Sequence, residues 1–317
     1  MSSELFLVGN FIGLVLKNSV PLVFASSGEV ITERSGVINL GVEGVMAVGA
    51  LVAVIVALST GNPWLAILIG GFTGLLFSLI HGLVTVVLGG NQIVSGIALT
   101  LAGLGITSIL GKDYIGALLL KYKPSPIYVG PALGPEGIRP IIMAFLTQDV
   151  LVYIALLLPA ILYVFLFKTK LGAAIRACGE NPVIAESLGV NVIATRIIAI
   201  GIGGFMAGIG GSYLSLGVIG TWVEGLTAGM GWIAVGLVAF GMWTPLRTVI
   251  GAYLVGALTA AEYILQGMVG ISTYILHMLP YIATIAILTV ASIERFRRRL
   301  GAPAALGKPY IREERLG

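Results

Sequence analysis

Long apolar runs divide the chain into about nine segments, near residues 5–27, 38–58, 64–88, 91–110, 150–168, 193–215, 229–243, 248–267 and 273–293. Most of these runs approach twenty residues, the length at which an α-helix crosses a hydrocarbon layer of roughly 30 Å. Backbone polar groups find no water inside a bilayer, so the runs are expected to be helical. The pattern predicts an all-α polytopic membrane protein with about nine transmembrane helices.

Two stretches interrupt this simple pattern, because Gly28 to Gly44 and Gly217 to Gly231 mix glycines with charged residues. Non-helical backbone is tolerated at membrane depth only where protein or a water-filled cavity satisfies its polar groups. Both stretches are therefore predicted to be broken or re-entrant helices beside a transport path. Glu33 and Arg34 are expected to anchor the first stretch at the membrane surface.

Glycines recur at four-residue intervals in two of the apolar segments. Gly70 and Gly74 form one such pair, and Gly204 and Gly208 form another. Small residues on one helix face allow neighbouring helices to approach closely. The spacing predicts tight helix packing.

The composition agrees with a membrane location. Of the 317 residues, 57% are hydrophobic and 10% are charged, whereas soluble domains carry about 25% charged residues. The one cysteine, Cys178, has no partner for an internal disulfide, and no Cys/His grouping has the spacing of a zinc site. No metal site is therefore predicted, and the apolar N-terminus is interpreted as the start of the first membrane segment rather than a cleaved signal.

The distribution of basic residues predicts the orientation. A cluster formed by Arg295 and 297–299 follows the last apolar run directly, which indicates a cytoplasmic C-terminus rather than binding to nucleic acid. Alternate crossings then place the loop 169–192 in the cytoplasm and 111–149 outside. The many prolines of 111–149 predict an irregular external segment. We therefore divide the chain into a transmembrane domain, 1–300, and a cytoplasmic C-terminal tail, 301–317.

One short polar stretch, GENPVIAESLG from Gly179 to Gly189, has the features of a capped helix. Asn181 is a good N-cap, Pro182 suits the first helical position, and Gly189 suits the position just beyond the C-terminus. About seven helical residues remain, too few to span a bilayer. The stretch is either an interfacial helix of its own membrane domain or a docking element for another protein.

The run LGAAIRACGENPVIAESLGVNV (Leu171 to Val192) resembles the cytoplasmic coupling loop of ABC-importer permeases of the branched-chain amino acid, ribose and nucleoside type. Further blocks are similar to the nucleoside and simple-sugar branch: Gly28 to Ala50, Asn91 to Leu99, Gly229 to Leu246, Leu279 to Ile285 and Pro303 to Arg315. The resemblance implies a transmembrane permease subunit that translocates nucleosides or a related simple sugar across the cell membrane.

The same resemblance implies several partners. These are an ATP-binding-cassette ATPase subunit that carries ATP and Mg, a second permease subunit forming a heterodimer, an external substrate-binding lipoprotein and the small-molecule solute. It also assigns docking of the ATPase to a set of residues in the short capped helix and its approach: Arg176, Gly179, Glu180, Asn181, Pro182, Ala185 and Gly189.

The chain itself is predicted not to be an enzyme. The stretch Gly105 to Asp113 departs from a P-loop, because five residues separate its glycines instead of four and Asp113 replaces the required Ser or Thr. His81 and His277 lie in separate apolar segments and are expected to be hydrogen-bonded packing groups. No catalytic residues are assigned, no cofactor is expected on this chain, and ATP hydrolysis is expected on a partner.

Polar residues inside the apolar segments are candidates for a solute pathway, because a charge at the bilayer centre costs about 2.5–3.5 kcal/mol. Seven such residues are Asn39, Glu43, Asn91, Gln92, Ser95, Glu224 and Glu262. Amides and carboxylates suit a neutral, hydroxyl-rich solute. Asn91 and Gln92 begin a helix at the interface, where capping alone would explain them. An ion-gradient-driven secondary transporter, with Glu43, Glu224 or Glu262 carrying a proton, is the alternative function.

Overall fold

The computed structural model describes residues 2–135, 138–266, 275–276, 278–291 and 301–310. Twelve α-helices and no extended strand occur within these ranges. The helices are α1 Ser2–Arg34, α2 Val42–Thr60, α3 Pro63–Gly82, α4 Gln92–Gly111, α5 Arg139–Leu146, α6 Val150–Lys168, α7 Lys170–Glu180, α8 Pro182–Ser187, α9 Val192–Tyr213, α10 Met230–Phe240, α11 Pro245–Gln266 and α12 Leu279–Ala291.

Seven of the described helices are long and apolar enough to cross a membrane: α1, α2, α3, α4, α6, α9 and α11. The chain is therefore a multi-pass helical membrane protein, as its apolar pattern predicts. The two other predicted segments are shorter helices. α10 has 11 residues and α12 has 13, and the segment predicted at 273–293 lies partly outside the described residues.

Glycines bring α2, α3 and α9 into backbone contact at the centre of the molecule. A Cβ atom added to Gly49 would lie 2.8 Å from the Cα of Gly208, and one added to Gly74 would lie 2.4 Å from the carbonyl oxygen of Gly204. The Ser212 hydroxyl donates to the Gly49 carbonyl at 3.1 Å. The predicted close packing is confirmed, and side chains larger than hydrogen would separate these helices.

The first glycine-rich stretch is a break between α1 and α2. α1 continues to Arg34, the chain turns at Gly36 with φ of 93°, and α2 begins at Val42. The expected surface anchoring by Glu33 and Arg34 is wrong. The Trp243 indole donates to Glu33, which is 4% exposed, and the Arg34 Nε donates to the Trp243 carbonyl at 2.8 Å. The turn between α10 and α11 covers both residues, and a local pattern cannot reveal that contact.

The second glycine-rich stretch separates α9 from α10. A π-helical turn extends α9 to Ile219, and the α-helical pattern resumes only at Met230. The segment 111–149 contains α5 and two short 3-10 turns, and isolated bridges pair Leu118 with Thr221 and Pro126 with Asp149. Its prolines predicted irregular backbone and gave no sign of α5.

Contacts between helix ends define two sides of the molecule. On one side the backbone N–H of Ala305 donates to the Gly179 carbonyl at 2.8 Å, beside the break after α1. On the other side the Tyr213 hydroxyl donates to Asp149 at 2.5 Å, at the start of α6. We call these the coupling side and the distal side. α6 runs from the distal side to the coupling side, and α9 runs from the coupling side back to the distal side.

Candidate functional site

Helices α7 and α8 form a bent pair on the coupling side. Asn181 ends α7 and caps α8, since its side chain accepts from the Ile184 N–H at 3.1 Å. Pro182 occupies the first turn of α8, and Gly189 has φ of 86° just beyond its end. The short capped helix predicted from the sequence is present, one residue shorter than expected. The preceding helix α7 was not predicted.

The two faces of α8 differ in their surroundings. Ala185 is buried and packs with Cys178 and Val192 in a small cluster. Val183, Ile184 and Leu188 expose 48%, 56% and 77% of their surface. Where such a patch lies outside the lipid-facing surface of a membrane protein, it marks a binding site. The outward face of α8 is therefore a candidate contact surface, and these three residues were missing from the prediction.

The remaining predicted docking residues hold α7 in place. Arg176 donates from Nε to the Leu166 carbonyl at 3.0 Å and lies over the Phe167 ring. A Cβ added to Gly179 would lie 2.2 Å from the Arg34 carbonyl oxygen, so α7 touches the end of α1 there. Glu180 is exposed at the bend. Arg176, Gly179 and Ala185 thus face the protein interior and shape the pair of helices.

The single cysteine lies beneath this pair. Cys178 is fully buried, and burial raises the pKa of its thiol. Its carbonyl oxygen accepts from Nη2 of Arg196 at 3.4 Å. The thiol is therefore sequestered from solvent by the coupling side of the fold.

Side chains from α3 and α4 hold the break between α1 and α2. The Ile38 N–H donates to Oε1 of Gln92 at 2.8 Å, and Nε2 of His81 lies 3.0 Å from the Ile38 carbonyl oxygen. Nδ1 of His81 lies 3.0 Å from the Ser95 hydroxyl. The expectation that His81 is a hydrogen-bonded packing group is confirmed, while His277 lies outside the described residues. Gln92 therefore supports the non-helical backbone at Ile38 directly, and Ser95 supports it through His81.

Two asparagines stabilise local backbone near the same break. The Asn39 N–H donates to the buried Glu29 at 3.0 Å, and its side chain accepts from the Gly41 N–H at 2.9 Å. Asn91 caps α4 by accepting from the N–H groups of Ile93 and Val94 at 3.0 and 3.1 Å. Helix capping therefore accounts for Asn91, which was predicted either to cap a helix or to line the solute pathway.

Glu43 joins α2 to the stretch before α10. One carboxylate oxygen accepts from the Thr227 hydroxyl at 2.6 Å and the Gly229 N–H at 2.8 Å. The other accepts from the Gly231 N–H at 2.7 Å, and Glu43 is 4% exposed. These three bonds bring together the two glycine-rich stretches that the sequence marked as broken helices.

Glu224 and Glu262 lie apart from that junction. Glu224 is exposed between α9 and α10 and accepts from the Ser108 hydroxyl near the distal end of α4. Glu262, on α11, is buried and accepts from the Gln266 amide at 2.9 Å. The predicted pathway residues thus occupy three places: the break after α1, the distal surface and α11.

Comparison with known proteins decides the family. Residues 11–288 match the family described as branched-chain amino acid transport system / permease component. The chain belongs to this permease family. No solved structure matches it.

Three relatives align over nearly their full length. TsgC13 of Haloferax volcanii, named as a glucose ABC transporter permease, is 37% identical over 92% of this chain and 94% of its own. The guanosine ABC transporter permease protein NupQ of Bacillus subtilis is 33% identical over 94% of this chain and 95% of its own. The nucleoside ABC transporter permease protein NupC of Lactococcus lactis is 32% identical over 93% of this chain and 95% of its own. This permease is therefore the membrane-spanning component of an ATP-binding-cassette transporter, and it is not itself the ATPase.

Proposed function

We propose that this permease imports nucleosides or a related simple sugar across the cell membrane. The relatives named above transport, by their names, glucose, nucleosides and guanosine. All are neutral, hydroxyl-rich solutes that exchange hydrogen bonds with water for hydrogen bonds with protein. An external substrate-binding lipoprotein delivers the solute, and a second, non-identical permease chain completes the pathway.

The outward face of α8 is the observation that carries the coupling role. Its inward face is fixed to the membrane domain, while Val183, Ile184 and Leu188 face away from the protein. A short helix of this kind fits into a cleft of an ATPase subunit, where closure of the ATPase on ATP moves it as a rigid body. Docking depends on the whole predicted set: Arg176, Gly179, Glu180, Asn181, Pro182, Ala185 and Gly189 shape and place the helix.

Charge supports a cytoplasmic location for the coupling side. Basic residues on that side outnumber those on the distal side: Arg34, Lys168, Lys170, Arg176, Arg196, Arg247 and Lys308 against Lys17, Lys112, Lys121, Lys123 and Arg139. Cytoplasmic loops of membrane proteins carry such an excess. In the proposed topology α10 and α12 are the two remaining crossings, which gives nine crossings, a cytoplasmic tail and an external segment 111–149.

The broken stretches border the solute pathway in this proposal. Asn39, Glu43, Gln92 and Ser95 hold non-helical backbone in place, which keeps its polar groups satisfied beside an aqueous path. Glu224 is exposed on the distal side and is the carboxylate best placed to meet entering solute. Weak contacts of this kind permit release, because tight binding inside would stall transport.

The coupling role is tested by replacing Val183, Ile184 and Leu188 together with serine. Losing the burial of three aliphatic side chains costs about 3 kcal/mol, which corresponds to roughly hundredfold weaker ATPase binding. Binding of the ATPase subunit to the purified permease in nanodiscs is the measurement. A matched variant replaces three exposed aliphatic residues of the distal side by serine, Leu118, Ile127 and Val129, and should bind the ATPase normally. Equal binding by both variants would refute the docking surface.

The substrate and the energy source are tested by uptake. Liposomes containing the permease, its partner permease, the ATPase and the binding protein should accumulate labelled nucleosides or sugars only with internal ATP and Mg. Uptake by this chain alone under a proton gradient would establish the secondary-transporter alternative instead.

A further inference from the structure

The C-terminal segment 301–310 returns to the coupling side and connects two elements that are distant in sequence. Its residues contact the α7–α8 pair along one edge and the break after α1 along the other. We define this segment as the clamp. It follows more than a hundred residues after α8, so only the tertiary structure places it there.

One edge of the clamp binds the coupling helices. The Ala305 N–H donates to the Gly179 carbonyl at 2.8 Å, and the Ala304 N–H lies 3.4 Å from the Glu180 carboxylate. The Tyr310 hydroxyl donates to Oε2 of Glu186, on α8 itself, at 2.6 Å. The Tyr310 ring also packs against the cluster around Cys178. The clamp thus contacts the end of α7, the bend and α8.

The other edge binds the break after α1. The Gly307 N–H donates to the Gly36 carbonyl at 3.2 Å. Gly307 has φ of 76°, and a Cβ there would lie 3.2 Å from Ile38. The Gln92 amide, which also holds the Ile38 N–H, lies 3.5 Å from the Lys308 carbonyl. The clamp therefore contacts the break close to Ile38, whose backbone groups α3 and α4 support.

Arg196 ties the two edges together. Its guanidinium lies within hydrogen-bond distance of carbonyl oxygens from three segments: Ser35 in the break at 3.0 Å, Cys178 in α7 at 3.4 Å and Lys308 in the clamp at 3.4 Å. The side chain is 1% exposed. A planar group with five donors can hold several carbonyl groups in one arrangement.

We propose that the clamp, with Arg196 and Tyr310 as its positioning residues, transmits displacement of α8 to the break after α1. A helix of six residues joined by turns would otherwise move by bending its own connections. Hydrogen-bonded, packed elements pass on such a displacement as a unit. This inference rests on the proposed docking of the ATPase to α8.

The experiment uses Gly307→Val in the complex with ATPase, partner permease and binding protein, reconstituted into liposomes. A β-branched residue at a positive φ disfavours the turn, so the clamp should detach. Ala302→Val adds the same side chain at an exposed position of the same segment and serves as the control. Two quantities are measured: the maleimide labelling rate of the native Cys178, and the number of solute molecules taken up per ATP hydrolysed.

Detachment should raise the labelling rate of Cys178 about tenfold, because local opening exposes the thiol. Solute uptake per ATP should fall to less than about half of the wild-type ratio, because displacement of α8 no longer reaches the break as a unit. Loss of folded protein alone would lower uptake and hydrolysis together and leave the ratio unchanged. Ala302→Val should match the wild type in both measurements.

A labelling rate unchanged in Gly307→Val, or a faster rate with an unchanged uptake ratio, would overturn the clamp. Should Gly307→Val fail to assemble, Tyr310→Phe removes the hydroxyl that donates to Glu186 and must show the same two changes at smaller size. A wild-type complex that hydrolyses ATP without importing solute would refute the proposed function instead, so the two failures are distinguishable.

Discussion

Replacing Glu43 with glutamine tests the junction between the two broken stretches. Glutamine has nearly the same shape, but one carboxylate oxygen becomes an NH₂ group. Three donors converge on Glu43, at 2.6, 2.8 and 2.7 Å. The oxygen that remains in glutamine can still accept from the Thr227 hydroxyl and the Gly229 N–H. The new NH₂ group must then face the Gly231 N–H, and both of these groups are donors without an acceptor. A lost bond to a carboxylate and an unpaired buried N–H together cost about 2–4 kcal/mol.

The measurement is the melting temperature of the purified permease, together with solute uptake by the assembled complex. Glu43→Gln should lower the melting temperature and reduce uptake, because the stretch before α10 loses its attachment to α2. Asp113→Asn makes the same carboxylate-to-amide change at an exposed position and should do neither. Normal melting with strongly reduced uptake would refute the anchoring argument and show that Glu43 contacts the solute directly.

Three further predictions concern packing, capping and the thiol. Gly208→Leu should prevent recovery of folded permease, because α9 contacts the backbone of α3 at Gly208. Gly105→Leu should be tolerated, because nothing lies within 4 Å of a Cβ added there. Equal recovery of the two variants in a detergent-solubility assay would contradict this. Asp149→Ala should lower the melting temperature more than Asp149→Asn does. Asparagine still caps α6 and loses only the bond between the carboxylate and Tyr213. The reverse order of melting temperatures would be inconsistent with a capping role. Burial raises the pKa of the Cys178 thiol, and the thiolate is the form that reacts with maleimide. The pH at which the labelling rate rises should therefore be higher for the folded protein than for the unfolded chain. Identical pH profiles would disprove the burial.

The helices and the capped coupling element were predictable because their determinants are local. An apolar run of about twenty residues has few ways to satisfy its backbone other than a membrane helix. Asn181, Pro182 and Gly189 act within one turn of α8, so their order along the chain carries the information. The helix α7 was missed since it is neither long enough nor apolar enough to stand out from a loop.

The candidate site was only partly predictable. Glu43 and Gln92 were found because a polar residue in an apolar segment needs a partner. Their partners, Thr227 and the Ile38 peptide, could not be inferred from spacing. The exposed aliphatic residues Ile184 and Leu188 were missed because apolar residues in a membrane protein carry no distinguishing signal until their exposure is known.

The sequence by itself determined the membrane class of this permease, most of its helices and the caps of α8, because each depends on neighbours within a few positions. Only the tertiary structure decided that Glu33 is covered by Trp243, 210 residues away, and that the clamp lies against Gly179 and Gly36. Such contacts depend on how the helices pack, and the free energy of packing is shared among many residues rather than encoded in one stretch of the chain.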